Sequence, residues 1–284
     1  PEQGEPELFE KTDSLLSRLK ELAESGFSPS SLNRYIDNPI NFFDEYVLDV
    51  KSNEEVNEFP ESRGIGIIFH NTMEEIYKPF IGKMVDVKKL KITLKTIDQE
   101  LDKQFTAEYG KNYDRGKNMI IYKVLSNTIN KLVQADINKI VKGCKLKIID
   151  IESKLEIGLV TEKSKIKYKL RGTVDRIQSE NGDVKIIDYK TGAFEPYTLS
   201  FSSYQDLVDK KKKEAFQLLC YCLMYSSALK KAKNLNAGII SFKNLSLGLI
   251  SLKKSKTESY DLEELNGFKK VLDNIIEEIF DQSI

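Results

Sequence analysis

Residues 171–192, RGTVDRIQSENGDVKIIDYKTG, gather the side chains best able to do chemistry. They read as a β-hairpin with one carboxylate, Asp175, on its first strand and with Asp188, Tyr189 and Lys190 at the end of its second. Side chains alternate along a strand, so Asp188 and Lys190 face one way and Tyr189 the other. The link Ser179-Glu180-Asn181-Gly182-Asp183 contains Asn-Gly, the strongest short-range hairpin signal. Two carboxylates and an ammonium at one end of a hairpin suit a hard divalent cation and an activated water. Oxygen ligands favour Mg²⁺, and water bound to such an ion becomes a usable nucleophile near neutral pH. The chemistry indicated is metal-dependent hydrolysis of a phosphodiester.

Each of these residues also has a plainer reading. Asp175 and Asp188 would repel when buried at strand ends, a conflict that a divalent ion removes. Alternatively they are turn-forming or salt-bridged aspartates, Asp175 pairing with Arg171 or Arg176. Lys190 would orient the attacking water and stabilise charge growing in the transition state. Otherwise it is an exposed lysine at a strand end. His70 is the one histidine of the chain. It shares a helix face with Gly66 and Glu74, one turn away on either side. Such a residue is either a ligand or a surface or core histidine.

The elements that must position these residues follow from periodicity. Strands are expected over residues 146–157, 166–177, 184–190, 237–242 and 247–252. Residues 184–190 are apolar on both sides before their polar end, as befits a central buried strand. Helices are expected over 66–80, 87–109, 118–141, 214–229 and 262–280, the last with Leu265, Phe268, Leu272, Ile275, Ile276 and Ile279 on one side. Residues 1–26 are acidic, and Leu15, Leu16, Leu19 and Leu22 at helical spacing make them an amphipathic lead-in or linker. Ser28 and Pro29 form an N-cap and N1 pair, and Pro39 ends or kinks the helix they open. Phe42, Phe43, Tyr46, Val47 and Leu48 give an aromatic face suited to base stacking or to core packing, and residues 54–63 form a polar loop. Helices, a strand cluster, then alternating helix and strand describe an α/β sandwich with a mixed central sheet.

With 284 residues, 40% hydrophobic and 31% charged, the composition is that of an ordinary globular chain. No run of 18 apolar residues exists, which leaves nothing to span a membrane as a helix. Net charge is zero, which excludes a wholly basic nucleic-acid binder, but residues 1–80 carry 7 Lys/Arg against 17 Asp/Glu and the remainder is correspondingly basic. Such polarity still allows a basic channel for DNA. Lysines 210–213 are read either as DNA contacts or as a solvated face. Cys144, Cys220 and Cys222 have neither disulfide nor metal-ligand spacing, which points to a reducing cytoplasm. The start Pro1-Glu2-Gln3-Gly4 reads as a tag remnant or as a domain cut from a longer polypeptide, the latter being preferred.

Five segments occur in order: SPSSLNRYIDNPINFFDEYVL (28–48), GIIFHNTME (66–74), RGTVDRI (171–177), IIDYKTG (186–192) and QLLCY (217–221). Together they resemble the PD-(D/E)XK nuclease superfamily in its RecB-like branch, namely the nuclease domain of AddB-type helicase-exonucleases. The resemblance implies a restriction-endonuclease-like α/β core over residues 27–284, with a helical insertion at about 87–141. It implies Mg²⁺ or Mn²⁺ held by His70, Asp175, Asp188 and the Tyr189 backbone carbonyl, with Asp175, Asp188 and Lys190 catalytic. Gln217 and Tyr221 would support the site and contact the nucleic-acid backbone, and Glu74 would orient His70 or a backbone group. Glu152 matches a frequent family glutamate of uncertain role. Many members carry an iron–sulfur cluster, but here Asn38-Pro39 stands at the first ligand position and no cysteine follows Cys222, so none is expected. The implied function is a DNA exonuclease acting on single-stranded ends, with a helicase as partner or as a region of the same polypeptide, in DNA repair or recombination. The alternatives are a non-catalytic DNA-binding or scaffolding domain and a site-specific endonuclease.

Overall fold

The computed structural model describes residues 11–49, 60–110, 116–229 and 235–281. The start at Pro1–Gly4 and most of the loop expected at 54–63 lie outside these residues. The hairpin forms as its turn chemistry requires. Asn181 and Gly182 both take left-handed backbone, with φ of 55° and 105°, the two-residue turn that suits right-handed strand twist. Strand β2 (Lys167–Glu180) therefore runs straight into β3 (Asp183–Lys190), paired antiparallel with Glu180 opposite Asp183 and Arg176 opposite Ile187. The five-residue link expected from the sequence shortens to two. Strand β1 (Leu146–Val160) lies outside β2. The short β4 (Ser200–Phe201) stands apart from this sheet. On the other side of β3, β5 (Leu235–Ser241) pairs parallel, and β6 (Leu249–Ser251) follows antiparallel. β7 (Lys253–Lys254) pairs with β4, and β8 (Ser259–Tyr260) with β5. The sheet is mixed, six-stranded, and ordered β1-β2-β3-β5-β6 with β8 against β5.

The helices are α1 (Asp13–Ser25), α2 (Pro29–Asp37), α3 (Pro39–Phe42), α4 (Pro60–Tyr77), α5 (Val87–Leu94), α6 (Ile97–Tyr109), α7 (Gly116–Val141), α8 (Lys213–Leu229) and α9 (Leu262–Phe280). They cover both sheet faces. On one face Leu19, Leu32, Phe216, Leu219, Phe268 and Leu272 pack on Leu170, Val174 and Ile186. On the other, Phe69, Ile76, Phe105 and Val133 pack on Ile148, Ile187 and Tyr189. Ile186 and Ile187 enter opposite cores, so β3 is the central strand buried on both sides. This is the α/β restriction-endonuclease-like arrangement.

Four details add to or differ from the sequence pattern. The helix expected over 87–109 breaks at Lys95-Thr96. There the Thr93 and Thr96 hydroxyls donate to the carbonyls of Lys89 and Thr93, offering the backbone a partner outside the helix. Helices α5–α7 share one core with α4 and the sheet. Helix α1 buries Leu15, Leu19 and Ala23 in the opposite core, and Lys11 donates to the carbonyls of Glu278 and Asp281 at the end of α9. After α3 the chain makes one π-helical turn, Phe43–Val47, burying Phe42, Phe43 and Val47 and leaving Tyr46 38% exposed. Core packing accounts for all but one of these aromatics.

Candidate active site

The carboxyl end of β3 lies between α4 on one face and α8 on the other, and the polar residues converge there. On the α4 side, His70 Nδ1 is 3.3 Å from Glu152 Oε1 and 3.5 Å from Asp175 Oδ1. The three side chains can offer ligand atoms that all lie within 4.8 Å of one another, the one such group among the described residues. Between the regular pairs Ile151↔Arg176 and Ser153↔Val174, Glu152 and Asp175 interrupt the ladder. Glu152 there has φ of 47°. Left-handed backbone in a non-glycine residue costs of order 1–3 kcal/mol and persists only where its surroundings impose it. The flanking pairs keep one register, so Glu152 stands opposite Asp175 and both carboxylates come within reach of His70.

The electrostatics are those of a charge trap. Burial pushes the Asp175 carboxyl up, and the neighbouring Asp188 adds to this against His70 and the Tyr189 amide, bringing its pKa to about 8. Burial alone would lower the His70 imidazole, but the Glu152 hydrogen bond and the charges of Asp175, Glu152 and Asp188 prevail and raise it. The protein without an ion thus relieves carboxylate crowding by holding protons. The Tyr189 N–H donates to Asp175 Oδ2 at 2.6 Å, which pins the carboxylate to the strand bearing Asp188.

On the α8 side, Gln217 ties three residues together. Its Nε2 donates to Asp188 Oδ1 at 3.2 Å and to the Tyr221 hydroxyl at 2.8 Å, while its Oε1 accepts from Lys190 Nζ at 3.3 Å. Residues 217 and 221 are one helical turn apart and meet for that reason. Burial pulls the Lys190 ammonium down, but the adjacent Asp188 charge and then Asp175 and Glu214 outweigh it, so it stays protonated. Asp188 Oδ2 lies 3.1 Å from Lys190 Nζ as an ion pair, yet is buried and accepts no hydrogen bond. A buried carboxylate oxygen in that state calls for a further positive partner. Together with imidazole and carboxylate donors, it fits a hard divalent cation.

Most of the residues singled out from the sequence therefore meet here: His70, Glu152, Asp175, Asp188, Tyr189, Lys190, Gln217 and Tyr221. Glu74 does not join them. It lies one turn beyond His70 and pairs with Lys78 at 3.6 Å, and the group bonded to His70 is Glu152. Arg176 pairs with Asp136 of α7 at 2.8 Å, which answers the possibility of an Asp175–Arg176 bridge. Two contributors were not foreseen. A Cβ on Gly172 would lie 2.9 Å from Tyr221 Cε1 and 3.2 Å from Met224 Cε, so the missing side chain seats Tyr221. A glycine inside a strand was the available signal. Asp136 also binds the Tyr77 hydroxyl at 2.7 Å and with Arg176 locks α4, α7 and β2 together. Its distance in sequence hid this role.

The family profile of the PD-(D/E)XK nuclease superfamily matches residues 26–284. No curated protein gives a significant match. The profile spans nearly the whole chain and both flanks of the site, and this superfamily consists of nucleases that generally depend on divalent metal. On the strength of that match and of the sheet that carries Asp175, Asp188 and Lys190, this chain belongs to the PD-(D/E)XK nuclease superfamily.

Proposed function

We propose that the chain is a Mg²⁺- or Mn²⁺-dependent DNA exonuclease domain of the RecB-like, AddB-type branch, acting on single-stranded ends delivered by a helicase partner or by a helicase region of the same polypeptide. The observation that carries the enzymatic part is Gln217, which joins Asp188, Lys190 and Tyr221 directly across from the His70–Glu152–Asp175 group. A binding scaffold has no need of an ammonium paired with one buried carboxylate beside a second. The exonuclease and helicase parts rest on the order of the five sequence segments.

In this reading His70, Asp175, Asp188 and the Tyr189 carbonyl hold the cation, and Glu152 either joins them or fixes the His70 ring. A cation bound there supplies a Lewis acid for the phosphoryl oxygen and an activated water. Lys190, fixed by Gln217 and Asp188, orients that water and faces the charge that grows on the phosphorus oxygens. Tyr221 and Gln217 meet the nucleic-acid backbone. The reading includes no iron–sulfur cluster, because Asn38 stands at the first ligand position and no cysteine follows Cys222; the Asn38 side chain accepts from the Asn41 amide and caps α3.

The deciding experiment is a metal-titrated cleavage assay on end-labelled single- and double-stranded DNA. Progressive shortening from one end, dependent on Mg²⁺ or Mn²⁺, is expected. Absence of metal-dependent cleavage, alone or with a helicase partner, would hand the function to the non-catalytic DNA-binding reading.

A further inference from the structure

Strands β1 and β2 run on past Glu152 and Asp175 as a two-stranded ribbon whose faces meet different surroundings. Leu155, Ile157, Tyr168 and Leu170 point into the core shared with α1, α8 and α9. Side chains alternate along a strand, so the residues between them point to the opposite face, on the side of α4. There Lys154 stands opposite Thr173, the next pair out from Glu152 and Asp175. Glu156 opposite Arg171, Gly158 opposite Lys169 and Val160 opposite Lys167 follow in turn. Thr173 is half-buried and the other seven are exposed.

This face is basic along its length. Four cations stand against one acid, Glu156, which pairs with Lys169 at 2.9 Å. Among the described residues no ion pair or side-chain hydrogen bond engages Lys154, Lys167 or Arg171. Residues on one face of a strand repeat about every 6.8 Å, so Arg171, Lys169 and Lys167 form a straight row of like charges. Thr173, Gly158 and Val160 are neutral and leave that row open. Crowded like charges repel, and an anionic chain laid along them removes the conflict. The row is also anchored: the Arg171 stem packs on Gly26, where a Cβ would lie 3.1 Å from Arg171 Cγ and Cδ.

We infer that the α4-side face of the ribbon is a track for the phosphate backbone of single-stranded DNA, held by Lys154, Arg171, Lys169 and Lys167 and leading the strand to His70, Glu152 and Asp175. The track rests on the nuclease reading and gives that site a path for its substrate. The two strands of the ribbon lie about 4.8 Å apart, narrower than either groove of B-DNA. The face therefore follows one backbone and not the two of a duplex. Phosphate contacts position a strand without reading its sequence, as progressive shortening from an end requires.

The test is fluorescence anisotropy with labelled oligo-dT and a chelator, on wild type and two triple variants. One is Lys154→Gln/Lys167→Gln/Arg171→Gln. The other, Lys88→Gln/Lys91→Gln/Lys95→Gln, removes the same charge from exposed positions of α5 and its C-terminal end. The ribbon variant should bind at least about tenfold more weakly. Its slope of log K against log salt should shrink by about 2, since each phosphate contact contributes about 0.7 on a single strand. The α5 variant should match wild type in both. In metal-dependent cleavage of the same oligonucleotide the ribbon loss should appear in KM, with kcat kept. Wild-type affinity and KM in the ribbon variant would overturn the track and leave the nuclease reading standing. Equal losses in both triple variants would overturn it as well, because net charge would then be the cause. A wild-type preference for duplex over single strand, lost in the ribbon variant, overturns the single-strand assignment. No cleavage by any form, with a binding loss confined to the ribbon variant, removes the nuclease reading and keeps the track as a DNA-binding surface.

Discussion

Glu152 Oε1 lies 3.3 Å from His70 Nδ1, and Glu152 reaches that position from a left-handed backbone inside a strand. The register of the neighbouring pairs sets Glu152 opposite Asp175. The strain marks a contact that the site uses. Glu152→Ala should weaken Mn²⁺ binding by roughly 10–100-fold, the usual loss when a group orienting a metal-binding histidine is removed. Glu152→Gly should lose as much affinity while keeping its stability, whereas glycine elsewhere in a strand costs roughly 0.5–1 kcal/mol. Isothermal titration with Mn²⁺ beside urea unfolding separates the two effects; a large stability loss in Glu152→Gly would refute the strain argument.

The proton on Asp175 makes the metal-free protein pH-sensitive. Its folded-state pKa, about 8, stands above the 3.8 of a free aspartate side chain, so between those values the native state holds a proton that the unfolded chain has released. Stability from this group is complete below the unfolded value and is lost as pH rises through the folded one. The raised His70 works in the same direction. With a chelator present, the Tm of wild type should fall from about pH 5 to about pH 8 relative to Asp175→Asn. Added Mg²⁺ or Mn²⁺ should remove the difference, and metal affinity should climb over the same interval as proton competition ends. Parallel Tm curves for the two proteins would contradict this.

How much was readable beforehand depended on whether the signal was local. The Asn181-Gly182 turn, the two-sided apolar strand ending in Asp188, and the stacked Gln217 and Tyr221 are patterns contained in a few residues. They set the hairpin, the central strand and the α8 side of the site. The His70–Glu152 contact joins residues 82 apart in sequence and sits at a backbone irregularity that no residue type announces. Glutamate is a poor choice for left-handed backbone, so nothing in the sequence marks Glu152 as the distorted position. The Asp136–Arg176 pair likewise required α7 to be laid across the sheet. Glu74 shows the opposite failing: helical spacing put it on the His70 face, while Lys78, one turn further on, drew it away.

Gly172 is expected to be as necessary as the charged residues nearby. A methyl group there would press on the Tyr221 ring and on Met224. Gly172→Ala should cost about 1–3 kcal/mol, the range for overpacking a well-filled core. Because Tyr221 receives the Gln217 amide, displacement of the ring should also loosen Lys190 and slow cleavage. The double variant Gly172→Ala/Tyr221→Ala should recover the stability lost to the methyl. Additive losses in urea unfolding would show that the contact is not the cause.

The last expectation separates the roles of the residues that Gln217 ties together. Lys190→Ala removes a group used mainly as charge develops, so cleavage should drop by at least about 10³-fold with folding and DNA binding nearly intact. Asp188→Ala removes a ligand as well as the partner of Lys190, so Mn²⁺ binding should go with the activity. Gln217→Ala frees the Lys190 ammonium and leaves Asp188 Oδ1 without its donor; kcat should fall while the affinity for DNA changes little. Tyr221→Phe keeps the ring that fills the space over Gly172 and loses only the hydroxyl, so its effect should be the mildest and should show as weaker DNA binding. Contact with the phosphate backbone releases counterions, and binding by every variant should therefore weaken as salt rises, with Tyr221→Phe parallel to wild type. Single-turnover cleavage, Mn²⁺ titration and DNA binding at several salt concentrations resolve these patterns. If Lys190→Ala cleaves as wild type does, the lysine beside Asp188 is only a structural ion pair and the catalytic assignment fails.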